Sequence, residues 1–146
     1  MRKIIMIIIA LATIFAISVN ASAASESGYG FLNSPSPYYQ TASNVVSTLT
    51  ITGTTAKCES KVVGHSDVTK CTIQQTLEKH SGWFWIWNNV DGANWTYTIT
   101  SSSAKVTNNI SGLSNGTYRL KSVFTLTTSS GKSETITVYS SEKTIS

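Results

Sequence analysis

Histidine, cysteine and proline each occur only twice in this chain of 146 residues, and charged residues make up just 12% of it. Cys58 and Cys71 have no histidine pair beside them, so the ligand spacing of a zinc site is missing. There is no glycine-rich phosphate loop, and the seven acidic residues are scattered, with no pair at a spacing diagnostic of acid–base catalysis. His65, Ser66 and Asp67 are the residue types of a hydrolase triad, but three neighbours in a turn do not line up in series as nucleophile, base and orienting acid. These absences predict a chain that is not an enzyme, with no catalytic residues, no metal and no cofactor. Charge of either sign is also sparse: eleven basic residues face seven acidic ones, which is neither a nucleic-acid footprint nor a polybasic membrane patch.

Only one long apolar run is present, Ile4 to Ser18, preceded by Arg2 and Lys3 and followed by VNASA. A basic start, an apolar middle and a small-x-small ending are the pattern of a signal peptide, with cleavage expected after Ala23. The run is short of the roughly 20 apolar residues of a membrane span, so no transmembrane anchor is expected after cleavage; a retained anchor is the competing reading. The expected location is therefore secreted, extracellular or associated with the cell surface. Loss of residues 1–23 also removes two positive charges and leaves a net charge of +2.

Residues 24–44 combine Gly28, Gly30, Pro35 and Pro37 with Tyr29, Phe31, Tyr38 and Tyr39. Glycine and proline oppose regular structure there, while the aromatics predict an arm lying against the domain, or else a tether or a partner contact. From residue 45 to 146 the pattern changes to short alternating segments. Ala56, Cys58, Ser60 and Val62 share one face, with Lys57, Glu59 and Lys61 opposite; Cys71, Ile73 and Leu77 repeat the pattern. Later segments centre on Trp95, Tyr97 and Ile99, on Tyr118, Leu120, Phe124 and Leu126, and on Ile136 and Val138. Period-two alternation, punctuated by Gly53, Asp91-Gly92, Asn115-Gly116 and Ser129 to Lys132, predicts a two-layer antiparallel β-sandwich.

In an oxidising compartment, Cys58 and Cys71 are expected to form a disulfide. A tight hairpin at Gly64 and His65 would set them opposite one another. If the same segment instead crosses between sheets, the pair would staple the two layers.

The string GLSNGTYRLKSVF, from Gly112 to Phe124, resembles the turn and penultimate strand of immunoglobulin-like and fibronectin-type-III-like sandwiches. With TLTITGTTAKC, TKCTIQQTLEK and SETITVYSSEKTI, most of residues 45–146 resembles small secreted proteins of Gram-positive bacteria that carry such a domain and have no characterised function. The resemblance implies that Leu113 and Tyr118 form a corner and that Cys58 and Cys71 are bridged. It supplies no catalytic residues.

The segment Trp83-Phe84-Trp85-Ile86-Trp87 is the strongest candidate site. In a strand, Trp83, Trp85 and Trp87 would share one face and Phe84 and Ile86 the other. Three indoles in a row form a platform for sugar rings, with Asn88, Asn89 and Gln75 supplying hydrogen bonds. The alternatives are tryptophans packed in the core or under the arm, and an interface with a protein or a second copy. A hairpin loop of even length would send the tryptophans away from the Leu77 face, and an odd one would turn them onto it. The leading expectation is noncatalytic recognition of a cell-surface or environmental glycan. The alternative is a structural or protein–protein interaction domain without a small-molecule ligand, its partner a cell-surface protein. Asn94, Asn109 and Asn115 also fit the N-glycosylation acceptor pattern.

Overall fold

The structure is a computed structural model that describes residues 38–146. The expected signal peptide, residues 1–23, and the expected arm up to residue 37 lie outside the described residues. Ser36–Ser146 is one compact unit and holds every strand named below.

Eight strands follow one another: β1 (Ala42–Thr52), β2 (Thr55–Gly64), β3 (Val68–His80), β4 (Trp87–Ile99), β5 (Ser103–Ile110), β6 (Gly116–Thr128), β7 (Ser133–Tyr139) and β8 (Lys143–Ile145). The boundary expected between residues 44 and 45 thus falls inside β1. β1, β2 and β5 form one antiparallel sheet in the order β1-β2-β5. The other sheet runs β4-β3-β6-β7, with β8 also paired to β6. This is the immunoglobulin/fibronectin-III type of sandwich.

The alternation read along the chain is what builds the two layers. Ala56, Cys58, Ser60 and Val62 are buried on β2, while Lys57 and Lys61 are exposed between them. β6 is the central strand of its sheet, and Tyr118, Leu120, Phe124 and Leu126 all point into the core. Gly53, at a left-handed φ of 58°, allows β1 and β2 to be joined by only two residues. At the same end of the sandwich Tyr118 donates its hydroxyl to the Ser114 carbonyl at 2.6 Å, and Leu113, whose N–H donates to the Thr54 carbonyl at 3.0 Å, is buried. Leu113 and Tyr118 therefore form the corner that the resemblance implied.

Two apolar clusters fill the space between the sheets. One gathers Val62, Cys71, Ile73, Phe124, Leu126 and Ile136; the other gathers Leu49, Cys58, Leu77, Leu113, Tyr118 and Leu120. A belt of polar side chains lies between the sheets as well. Ser47 and Ser60 both bond Ser122, at 2.8 and 2.6 Å. Gln75 Nε2 donates to Ser60 Oγ at 2.7 Å and to the Cys58 carbonyl at 3.3 Å. Asn108 Nδ2 then donates to Gln75 Oε1, and the Tyr97 hydroxyl donates to Asn108 Oδ1, each at 2.7 Å. The belt joins β1 to β6, and it satisfies groups whose burial would otherwise be costly. No buried side-chain nitrogen or oxygen among the described residues is left without a partner.

The expected disulfide is not formed: Cys58 and Cys71 are both free and buried. The chain does cross between sheets after Gly64, but the crossing sets the two cysteines at different heights along the sandwich. Cys58 lies level with Gln75, which bonds its carbonyl, and Gln75 is four residues beyond Cys71 on β3. At about 3.3 Å per residue that is roughly 13 Å, about twice the Cα separation a disulfide allows. The two thiols occupy different apolar clusters, and Cys71 Sγ donates to the Ser101 carbonyl at 3.1 Å.

Candidate functional site

The described chain begins at one end of the sandwich, where Glu134 on β7 captures the start of β1. Its carboxylate accepts the Thr41 hydroxyl at 2.6 Å and the backbone N–H groups of Thr41 and Gln40 at 2.8 and 3.3 Å. The His65 N–H donates to the Thr41 carbonyl at 2.8 Å, and Tyr39 packs on the first apolar cluster. Some desolvation pushes the Glu134 carboxyl upward, but the bonds from Thr41 and Gln40, with His65 nearby, hold it below the usual glutamate range. β3 then runs from this end to the other, 13 residues or about 43 Å at 3.3 Å per residue.

At that far end the aromatic segment does not form the expected row. His80 pairs with Trp87, so residues 81–86 are the loop of the β3–β4 hairpin and only Trp87 belongs to a strand. The loop has an even number of residues, and Trp87 faces away from Leu77, as that parity requires. The strand fails because Phe84 adopts a left-handed φ of 52°, alone among the described residues other than glycine. That conformation costs about 1–2 kcal/mol for an L-residue, and local bonds hold it. His80 Nε2 donates to the Phe84 carbonyl at 2.7 Å, while His80 Nδ1 accepts from the Gly82 N–H at 3.2 Å, which requires the neutral ring protonated on Nε2. Ser81 N–H donates to the Ile86 carbonyl at 2.9 Å, and Ser81 Oγ bonds both the N–H and the carbonyl of Trp83.

The loop forms a projecting apolar tip. Trp83 is 75% exposed, Phe84 79%, Trp85 89% and Ile86 52%. Neighbours exposed to this degree cannot share a groove or a flat sheet face. Trp87 has a different role: the Arg119 guanidinium lies 4.1 Å from its ring and 4.2 Å from the ring of Tyr139. Arg119 Nε also donates to the buried Glu78 carboxylate at 2.7 Å, and the His80 ring meets Trp87 edge-on at 5.2 Å. This stack braces the base of the tip.

A cleft of about 380 Å³ opens at the same base, lined by Lys79, His80, Ser81, Asn88 and Asn89, with Tyr118 of the corner among its walls. Lys79 Nζ donates to Ser114 Oγ at 2.6 Å and sits over the Tyr118 ring. Asn88 and Asn89 are exposed there, but Gln75, expected beside them, is buried in the core belt. Of the predicted site residues, Trp83 and Trp85 lie on the tip, Asn88 and Asn89 beside the cleft, and Trp87 between them as a brace. Cys58 and Cys71 lie elsewhere, in the core. A turn at His80 to Gly82 is legible in the sequence from Gly82 and its polar neighbours, whereas the bonding of the loop backbone by the His80 and Ser81 side chains is not.

Among the described residues, no group of three or more His, Cys, Asp or Glu side chains is placed to hold a metal ion. No helix among them is long and apolar enough to cross a membrane. Asn94, Asn109 and Asn115 are all exposed. No protein-family model matches the chain, and no curated protein matches it.

Proposed function

We propose that this is a noncatalytic interaction domain, exported from the cell, that works by pressing an apolar tip onto a larger partner rather than by enclosing a small molecule. The observation that carries this reading is the run Trp83 to Ile86, four large apolar side chains held in solvent on a backbone bonded to itself. Tryptophan is the side chain most often found to dominate binding energy at interfaces, and a preorganised loop loses little entropy on docking. Export rests on the pattern of residues 1–23, and the likeness to small secreted Gram-positive proteins agrees with it.

The test places a photo-crosslinking amino acid at Phe84 and, as a control, at exposed Thr96 on β4, in producing cells. Adducts to a macromolecule that form from position 84 and not from 96 are expected. Equal or absent crosslinking at both positions removes the tip as the contact. A glycan is the second reading, favoured by the cleft that sets Asn88 and Asn89 beside the tip. It predicts that soluble cell-wall or plant-polysaccharide fragments shift the tryptophan emission saturably, and that Asn88→Ala with Asn89→Ala abolishes the shift.

A further inference from the structure

The shape and chemistry of the tip narrow what it meets. It is convex, so a rigid partner would need a matching pocket, whereas the interface of a lipid bilayer conforms to whatever enters it. From Ser81 to Val90 there is no charged side chain, and the four most exposed members are two tryptophans, a phenylalanine and an isoleucine. Indole rings settle at the level of lipid headgroups, with the ring among the upper acyl chains and the N–H toward the polar layer.

Entry into an apolar layer is costly for unbonded backbone groups, and this loop has already paired several of them. The carbonyls of Trp83, Phe84 and Ile86 and the N–H groups of Ser81, Gly82 and Trp83 all have partners within residues 80–86. Lys79 and His80 stand at the base, where headgroup phosphates would lie. The described chain begins about 43 Å away at the other end of the sandwich, so a domain held through its N-terminal side would present the tip outward.

Resting on the reading of the tip as the contact site, we infer that the surface it engages is a lipid bilayer, entered by Trp83, Phe84, Trp85 and Ile86 to the depth of the headgroup region. Attachment is driven by apolar burial. The nine basic and six acidic side chains of residues 36–146 all lie outside the run from Ser81 to Val90, so zwitterionic and anionic membranes are bound alike and added salt has little effect.

The experiment uses Ser36–Ser146, the compact unit that contains both sheets and both apolar clusters, so that the apolar run of residues 4–18 does not itself bind lipid. Tryptophan emission is followed as phosphatidylcholine vesicles are added, with and without phosphatidylglycerol, and with bromine-labelled lipid as a depth-sensitive quencher. Acrylamide quenching of the lipid-free protein is measured in parallel. The expected result is a blue shift and bromine quenching with both compositions, insensitive to salt. Binding should weaken by on the order of a hundredfold in Trp83→Ser/Trp85→Ser, which removes most of the inserted apolar area. A second variant, Phe84→Ser/Ile86→Ser, keeps all the fluorophores and should weaken binding as well.

If the tip indoles are open to acrylamide but neither vesicle alters them, the lipid inference is overturned while the tip remains available to a protein or glycan. Indoles closed to acrylamide would defeat both readings. Binding confined to anionic vesicles and abolished by salt would overturn the apolar mechanism.

Discussion

Tyr118 shows how one hydroxyl closes a corner of the fold. Its bond to the Ser114 carbonyl fixes the turn before β6, and Leu113 packs beneath it. Tyr118→Phe should cost about 1 kcal/mol in chemical denaturation, because the exposed side of Ser114 lets water replace the lost donor. The two thiols carry a pH signature. Burial raises the Cys58 thiol from 9.0 to about 12 and pushes the Cys71 thiol up as well. The folded protein therefore keeps protons that the unfolded chain releases above pH 9, so stability should fall as pH rises from 9 toward 12. Cys58→Ala should flatten that part of the profile at the cost of a small cavity. Both thiols should be inert to a thiol reagent until the protein unfolds, and a reductant should leave the unfolding midpoint unchanged.

Among the elements, β1 depends on a contact its own sequence does not reveal. Glu134 on β7 holds the Gln40 and Thr41 N–H groups, and its carboxyl is lowered in the folded state. The stabilisation it provides is present above the ordinary glutamate range and is lost as pH falls through the lowered folded value. In acid, hydrogen exchange at Thr41 should therefore accelerate before exchange in β3 or β6, and Glu134→Gln should show the faster exchange already at neutral pH. The β3–β4 hairpin is the opposite case, an element end that is ordered by its own loop. Trp83→Ser/Trp85→Ser should leave stability within about 0.5 kcal/mol of the parent, as exposed substitutions do, which a thermal scan checks. A much larger loss would mean that the indoles are packed.

At the scale of the whole molecule, the polar belt of Ser47, Ser60, Gln75, Asn108 and Ser122 lies between the two sheets. An apolar interior slides easily, whereas a bonded row has one good register. Gln75→Leu should cost about 2–3 kcal/mol in denaturant unfolding, because Ser60 and Asn108 would lose a buried partner. Its signature is positional as well: Gln75 lies between Ile73 and Leu77, and Ser122 between Leu120 and Phe124, polar residues at core parity.

Alternation along β2, β3, β6 and β7 was enough to read a two-layer β-sandwich from the amino-acid sequence, since the pleat sends successive side chains to opposite faces whatever the partner strand. The corner at Leu113 and Tyr118 was implied only by the likeness of GLSNGTYRLKSVF to immunoglobulin-like and fibronectin-type-III-like sandwiches, and the bond from the Tyr118 hydroxyl to the Ser114 carbonyl agrees with it. Three features were not legible in that alternation. The height at which β2 crosses to β3 keeps Cys58 and Cys71 apart; the Glu134 latch joins residues more than ninety positions apart; and the aromatic segment is a loop because His80 and Ser81 bond its backbone into a turn. Local pattern records which face a residue prefers, but where a strand ends and what lies opposite it is set by the free energy of the assembled sandwich.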